Sequence, residues 1–124
     1  MEYCDVLIVG GGPAGSSCAW TLRRSGLEVV VLDQKRFPRD KVCAGWITPG
    51  VATALEIEPE EYRKERTLQP IHGFRVGAEG GRSVEVDFQR VVSFAIRRCE
   101  FDAYLLARCD ARQRLGEPVA RLRF

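Results

Sequence analysis

A chain of 124 residues has the length of one small domain and can bury only a modest core. Its 45% hydrophobic and 29% charged residues are those of an ordinary globular protein, and a formal charge of +2 gives no electrostatic case for a nucleic-acid partner. No apolar run approaches the roughly 20 residues needed to span a bilayer, and Glu2 and Asp5 stand where a secretory leader carries basic residues, so a cytoplasmic protein with at most peripheral membrane contact is expected.

Tyr3 to Val9 is a short apolar run ending in glycine, the pattern of a buried strand. Pro13 suits a first helical turn, and Ala14 to Ser25 follows as a helix with Ala19 and Leu22 facing inward, stopped by Gly26. "LEVVVLD", Leu27 to Asp33, is a second continuous apolar strand. Strand, helix and strand together make a right-handed βαβ unit whose parallel sheet is buried on both faces. Gln34 to Trp46 is polar, contains Pro38 and Gly45, and is expected as loop. Thr48 caps a helix that has Pro49 in its first position and runs to about Leu55. The charged stretch Glu56 to Arg66 is then an exposed helical turn and connection.

"IHGFRVGAEGGRSVEVDF" alternates about Glu79-Gly80-Gly81, which marks an antiparallel hairpin, and Val91 to Ile96 adds a third strand to the meander. Phe101 to Arg108 reads as a helix with acids Glu100 and Asp102 at its start and Arg108 at its end, as the helix dipole favours. Short strands at Arg112 to Leu115 and Val119 to Phe124 close the sequence. The expected division is a βαβ core over 3–33, loop and helix over 34–66, antiparallel strands over 68–96, and a helix with returning strands over 99–124. Residues 90–124 hold eight arginines against four acids, read as solvated helix and strand faces. Five widely spaced cysteines with no C-x-x-C pair argue for a reducing compartment and against a disulfide framework or a zinc site.

Chemistry concentrates in "VLIVGGGPAG". Gly10, Gly12 and Gly15 satisfy G-x-G-x-x-G where a strand turns into a helix. Gly10 permits the tight turn, Gly12 lets a pyrophosphate approach the backbone, and Gly15 lets the helix pack close to the sheet. The helix amides and dipole face the phosphate charge. Asp33 ends the second strand 18 residues beyond Gly15, where a carboxylate accepts hydrogen bonds from ribose hydroxyls. Pro13, Ala14 and Gln34 adjoin these residues and belong to the same site. NAD and FAD share the adenosine diphosphate half, so this composite leaves the two dinucleotides open.

The wider string "DVLIVGGGPAGSSCAWTLRRSGLEVVVLDQKRFPRDKVCAGWITP" resembles the N-terminus of FAD-dependent oxidoreductases of the geranylgeranyl reductase family, which share the para-hydroxybenzoate hydroxylase fold. A second stretch, "AIRRCEFDAYLLARCDARQRLGEPV", is similar to that group's R-x-x-F-D-x-x-L segment. The resemblance implies FAD at the glycine loop, with NAD(P)H docking without a Rossmann domain of its own. It implies that Gly10, Gly12 and Gly15 hold the pyrophosphate and Asp33 the adenosine ribose. Arg98 matches the arginine that lies beside FAD, with the adjacent Arg97 as fallback. Lys41, Cys43, Ala44 and Gly45 match the K-x-C-x-G segment that passes near the flavin, which makes Cys43 a candidate catalytic residue; its bland alternative is a small packing thiol.

Trp46 follows Gly45 where many relatives have a second glycine or an acid, and Asp110 replaces the glycine that usually ends the later helix. The family's later G-D motif and substrate domain have no counterpart, so the resemblance implies an α/β chain with an inserted antiparallel hairpin, an incomplete N-terminal part of the larger fold. The activity implied is reduction of an isoprenoid or related lipid double bond by hydride from reduced FAD. A flavin monooxygenase of the same fold and a non-catalytic nucleotide-binding remnant are the alternatives. The single histidine, His72, offers neither a metal cluster nor a triad.

Overall fold

In chain order the elements are β1 (Val6–Val9), α1 (Pro13–Leu22), β2 (Val29–Asp33), β3 (Trp46–Ile47), α2 (Pro49–Ala54), α3 (Pro59–Tyr62), β4 (Leu68–Ile71), β5 (Gly73–Gly77), β6 (Ser83–Asp87), β7 (Ser93–Ile96), α4 (Arg98–Arg108) and β8 (Arg112–Leu115). They come from a computed structural model that describes residues 3–121. The chain divides into two units, 1–41 with 98–124 and the intervening 42–97.

The first unit is the expected α/β core. β2 lies parallel to β1, with Val6 opposite Val29 and Val9 opposite Leu32. β8 adds to the other side of β2, also parallel, with Val30 opposite Arg112 and Asp33 opposite Leu115. Ala19 of α1, Val29 and Val31 of β2, Leu106 of α4 and the following Cys109 form the buried cluster, and Ile8, Trp20, Leu22 and Phe37 pack against it. Each large aliphatic side chain buried there contributes about 1.5–3 kcal/mol. The Cys109 thiol donates to the Leu106 carbonyl at 3.0 Å, and its burial pushes its pKa up, so it remains a neutral packing group.

Four expectations need correction in this unit. α1 ends at Leu22 rather than Ser25, because the Ser25 hydroxyl donates to the Leu22 carbonyl at 2.7 Å and completes the turn before Gly26 at φ +77°. The sheet is buried on both faces at β2 but not at β1: Leu7 is 47% and Val9 59% exposed, while their neighbours Val6 and Ile8 pack inward. Residues 119–121 form no strand, and the remainder of the proposed strand, 122–124, lies outside the described residues. α4 starts three residues earlier than Phe101, and Asp110 behind it adopts φ +51°, the left-handed conformation that the missing glycine would have supplied.

In the second unit, β7 pairs antiparallel with β3 on one side and β4 on the other, with Phe94 opposite both Ile47 and Pro70. The hairpin β5–β6 is a separate two-stranded sheet, so β7 does not extend it as a meander. Trp46, expected as the end of the loop, is drawn with Ile47 into the sheet as β3. Thr48 caps α2 as expected, its hydroxyl accepting from the Val51 amide at 3.4 Å. The hairpin alternates as the sequence does: Arg75 pairs with Glu85 at 2.6 Å, and on the opposite face Phe74 stands across from Val86 and Val76 across from Val84.

Candidate nucleotide-binding site

The glycines between β1 and α1 do different work. Gly10 sits at φ +104°, a conformation that L side chains rarely adopt, and its amide donates to the Leu32 carbonyl at 2.7 Å. A Cβ on Gly15 would overlap the Gly10 carbonyl oxygen and lie 3.1 Å from Ile8 Cγ2, so close packing of α1 on β1 demands glycine there. Gly12, at φ −69°, is not strained. A Cβ on it would meet only Arg39 Nη2, at 3.5 Å, so the protein itself does not require its bareness. Gly12 is the N-cap of α1 and carries no side chain to satisfy the amides of the first turn, which leaves their partial positive charge directed outward. Pro13 occupies the first helical position, where no amide is needed, and Ala14 follows it on an exposed face.

Asp33 closes the loop from the other strand. Its Oδ2 accepts from the Gly11 amide and its Oδ1 from the Lys35 amide, both at 2.8 Å. Those bonds hold a largely buried carboxylate at the carboxyl ends of β1 and β2, and each oxygen keeps a further lone pair. Beside it is a cavity of about 260 Å³ bordered by Gly10, Asp33, Gln34, Pro118 and Val119. Pro118 and Val119 escaped the sequence reading, which opened a strand at Val119; they follow Gly116, at φ +86°, whose amide donates to the Asp33 carbonyl at 2.8 Å.

A third group stands at the start of α4. Arg98 Nε donates to Asp102 Oδ1 at 2.6 Å, and Asp102 is fully buried. The fallback residue Arg97 is exposed. Arg39, absent from the sequence-based set, places Nη1 3.2 Å from Asp102 Oδ2 and its guanidinium over the Phe37 ring at 4.6 Å. It sits in a charged loop whose arginines all read alike in sequence.

Lys41 is exposed at the end of the first unit's opening segment, and Cys43, Ala44 and Gly45 belong to the second unit. Cys43 Sγ accepts from the Gly45 amide at 3.3 Å, a short loop that leaves the sulfur side chain exposed. Gly45 has φ +73°, and a Cβ there would lie 2.7 Å from the Ile96 carbonyl oxygen, so this glycine is structural where it joins β7. Trp46 packs against Phe74 with ring centroids 5.4 Å apart. His72 is exposed, and Trp20 carries the guanidiniums of Arg23 and Arg108 over its ring, a packing role.

The span that carries this glycine loop and acid also matches a known family. Residues 5–123 match the family described as FAD dependent oxidoreductase. The chain belongs to the FAD-dependent oxidoreductase family. Among its relatives are a menaquinone reductase of Mycolicibacterium smegmatis, 48% identical over 103 residues that cover 79% of this chain and 24% of the relative, and a geranylgeranyl diphosphate reductase of Rhodobacter capsulatus, 34% identical over 108 residues covering 87% and 26%. The chain thus spans about a quarter of the length of these relatives. A solved geranylgeranyl bacteriochlorophyll reductase-like protein of Thermoplasma acidophilum has the same fold over 97% of this chain and 32% of its own, with a TM-score of 0.80 at 23% identity. The residues present suit FAD: an open backbone at Gly12, outward-facing helix amides, and a fixed carboxylate beside a cavity. Among the described residues, no helix is long and apolar enough to cross a membrane.

Proposed function

We propose that this chain is the nucleotide-binding part of a flavin-dependent reductase that saturates a double bond in an isoprenoid lipid, with NAD(P)H as electron donor. The observation that carries the flavin part is Gly12, the one glycine of the loop that neither a positive φ nor a tight internal contact requires. The reductase part rests on the likeness to a menaquinone reductase and a geranylgeranyl diphosphate reductase, named for two prenylated molecules.

In this reading Gly10, Gly12, Pro13, Ala14 and Gly15 shape the pyrophosphate cradle, Asp33 and Gln34 receive the adenosine ribose, and Arg98 lies beside the flavin. Lys41, Ala44 and Gly45 carry the chain past the flavin, with Cys43 near the isoalloxazine or substrate. Bound FAD supplies hydride chemistry, so an alkene gains one hydride and one proton while NAD(P)H is oxidised. The chain's own contribution is orientation and charge: α1 and Asp33 fix the dinucleotide at one end and leave the reacting end to the rest of the enzyme. Such an enzyme works in the cytoplasm and meets its lipid at the membrane surface.

The test is anaerobic turnover of the full-length protein with NADPH and geranylgeranyl diphosphate or menaquinone, followed by mass spectrometry. Two hydrogens gained on the prenyl chain per turnover support the reading; reduction of the quinone ring to the quinol, which adds the same mass, counts against it. Flavin reoxidation that requires oxygen and yields a hydroxylated product would replace it with a monooxygenase.

A further inference from the structure

Asp102 is the one fully buried carboxylate among the described residues, and it faces two guanidiniums, Arg98 at 2.6 Å and Arg39 at 3.2 Å. Burying a charge is costly unless it is paired and hydrogen-bonded, and Arg39 Nη1 is buried with no hydrogen bond, so Arg39 is suited to a further anion. Arg39 is where that anion would find donors. Its Nη1 is buried and, although within ion-pair distance of Asp102 Oδ2, lacks the alignment of a hydrogen bond. Its Nη2 points at the glycine loop, 3.5 Å from where a Cβ on Gly12 would stand. Phe37, itself packed on the core cluster, supports the guanidinium from behind. The fork is therefore held in place before any ligand arrives, which reduces the entropy lost on binding.

We propose that Arg39 is a phosphate-binding residue of this site, donating from Nη2 to the pyrophosphate at Gly12, and that Asp102 is the positioning residue that aims Arg39 and Arg98 together. The inference extends the set of ligand residues and rests on the pyrophosphate lying against Gly12.

The experiment uses full-length protein freed of flavin, titrated with FAD, ADP and adenosine. Arg39→Ala should weaken FAD and ADP binding roughly 10- to 100-fold, as loss of a charge-assisted hydrogen bond does, and leave adenosine, which has no phosphate, unchanged. Arg39→Lys should recover part of the loss, since it restores charge without the fork. Asp102→Asn should lower FAD and ADP affinity in the same pattern; if that variant fails to fold, the Arg39 pair decides by itself. Wild-type ADP affinity in Arg39→Ala, or equal losses for ADP and adenosine, would overturn the proposal. Gly12→Ala serves as control: a loss there with none in Arg39→Ala refutes the arginine alone, and a loss in neither refutes the pyrophosphate placement as well.

Discussion

Alanine at Gly12 and alanine at Gly15 should fail in opposite ways. At Gly15 the new methyl collides with the backbone carbonyl of Gly10, which the bond from its own amide to Leu32 holds in place, and approaches Ile8 Cγ2 at 3.1 Å. No rotamer change relieves a clash with backbone. Overpacking of this kind costs about 3 kcal/mol at its upper range, and the roughly 1 kcal/mol by which alanine is the better helix former offsets only part of it. A net loss near 2 kcal/mol is large against a total stability of about 5–15 kcal/mol. At Gly12 the backbone is at φ −69° and the methyl meets only Arg39 Nη2 at an ordinary 3.5 Å. Alanine is the poorer N-cap by about 0.5–1 kcal/mol, and it reduces unfolded-chain entropy by a similar ~0.4–1 kcal/mol, so stability should barely change. Flavin binding should not survive as well, because the methyl holds a phosphate off the α1 amides; losing one or more such bonds costs about 1.5–3 kcal/mol each. Urea unfolding of the flavin-free full-length variants gives the first quantity and quenching of flavin fluorescence on titration gives the second. A Gly12→Ala protein that binds FAD like the wild type, or that is destabilised as much as Gly15→Ala, would refute the reasoning.

Asp33→Asn keeps an acceptor for only one of the two backbone amides and loses the charge, so FAD affinity should fall by about 1.5–3 kcal/mol and folding stability by about 1–3 kcal/mol; unchanged flavin retention would remove Asp33 from the site. Thiol reagents at mild pH should label the exposed Cys18 and Cys43 first and reach Cys109 only after denaturation, which mass mapping would check. Since burial raises the Cys109 pKa, the stability it contributes is fully present below the ordinary thiol value and is lost as pH rises through the raised folded value. Replacing Cys109 by alanine should therefore flatten the alkaline limb of a stability–pH curve, and an unaltered limb would contradict the assignment.

Contiguous features were legible in the sequence. The strand, glycine turn, helix, second strand and terminal acid of residues 6–33 form one local string, and each is set by its own periodicity, cap or required φ. The same holds for the Thr48-Pro49 helix start and for the hairpin about Gly80, at φ +70°. Partner choice was not legible, because alternation records that a strand has two faces and not which strand lies beside it. That is why β7 joins β3 and β4 instead of the hairpin, and why the open face of β1 looked buried. Arg39 shows the limit most clearly. By sequence it is one cation in a charged loop, 63 residues before Asp102; only folding, which packs Phe37 on the core and brings α4 alongside α1, sets its guanidinium between a buried carboxylate and Gly12. A charge acquires its role from desolvation and from the groups within a few ångströms, and both are properties of the tertiary structure.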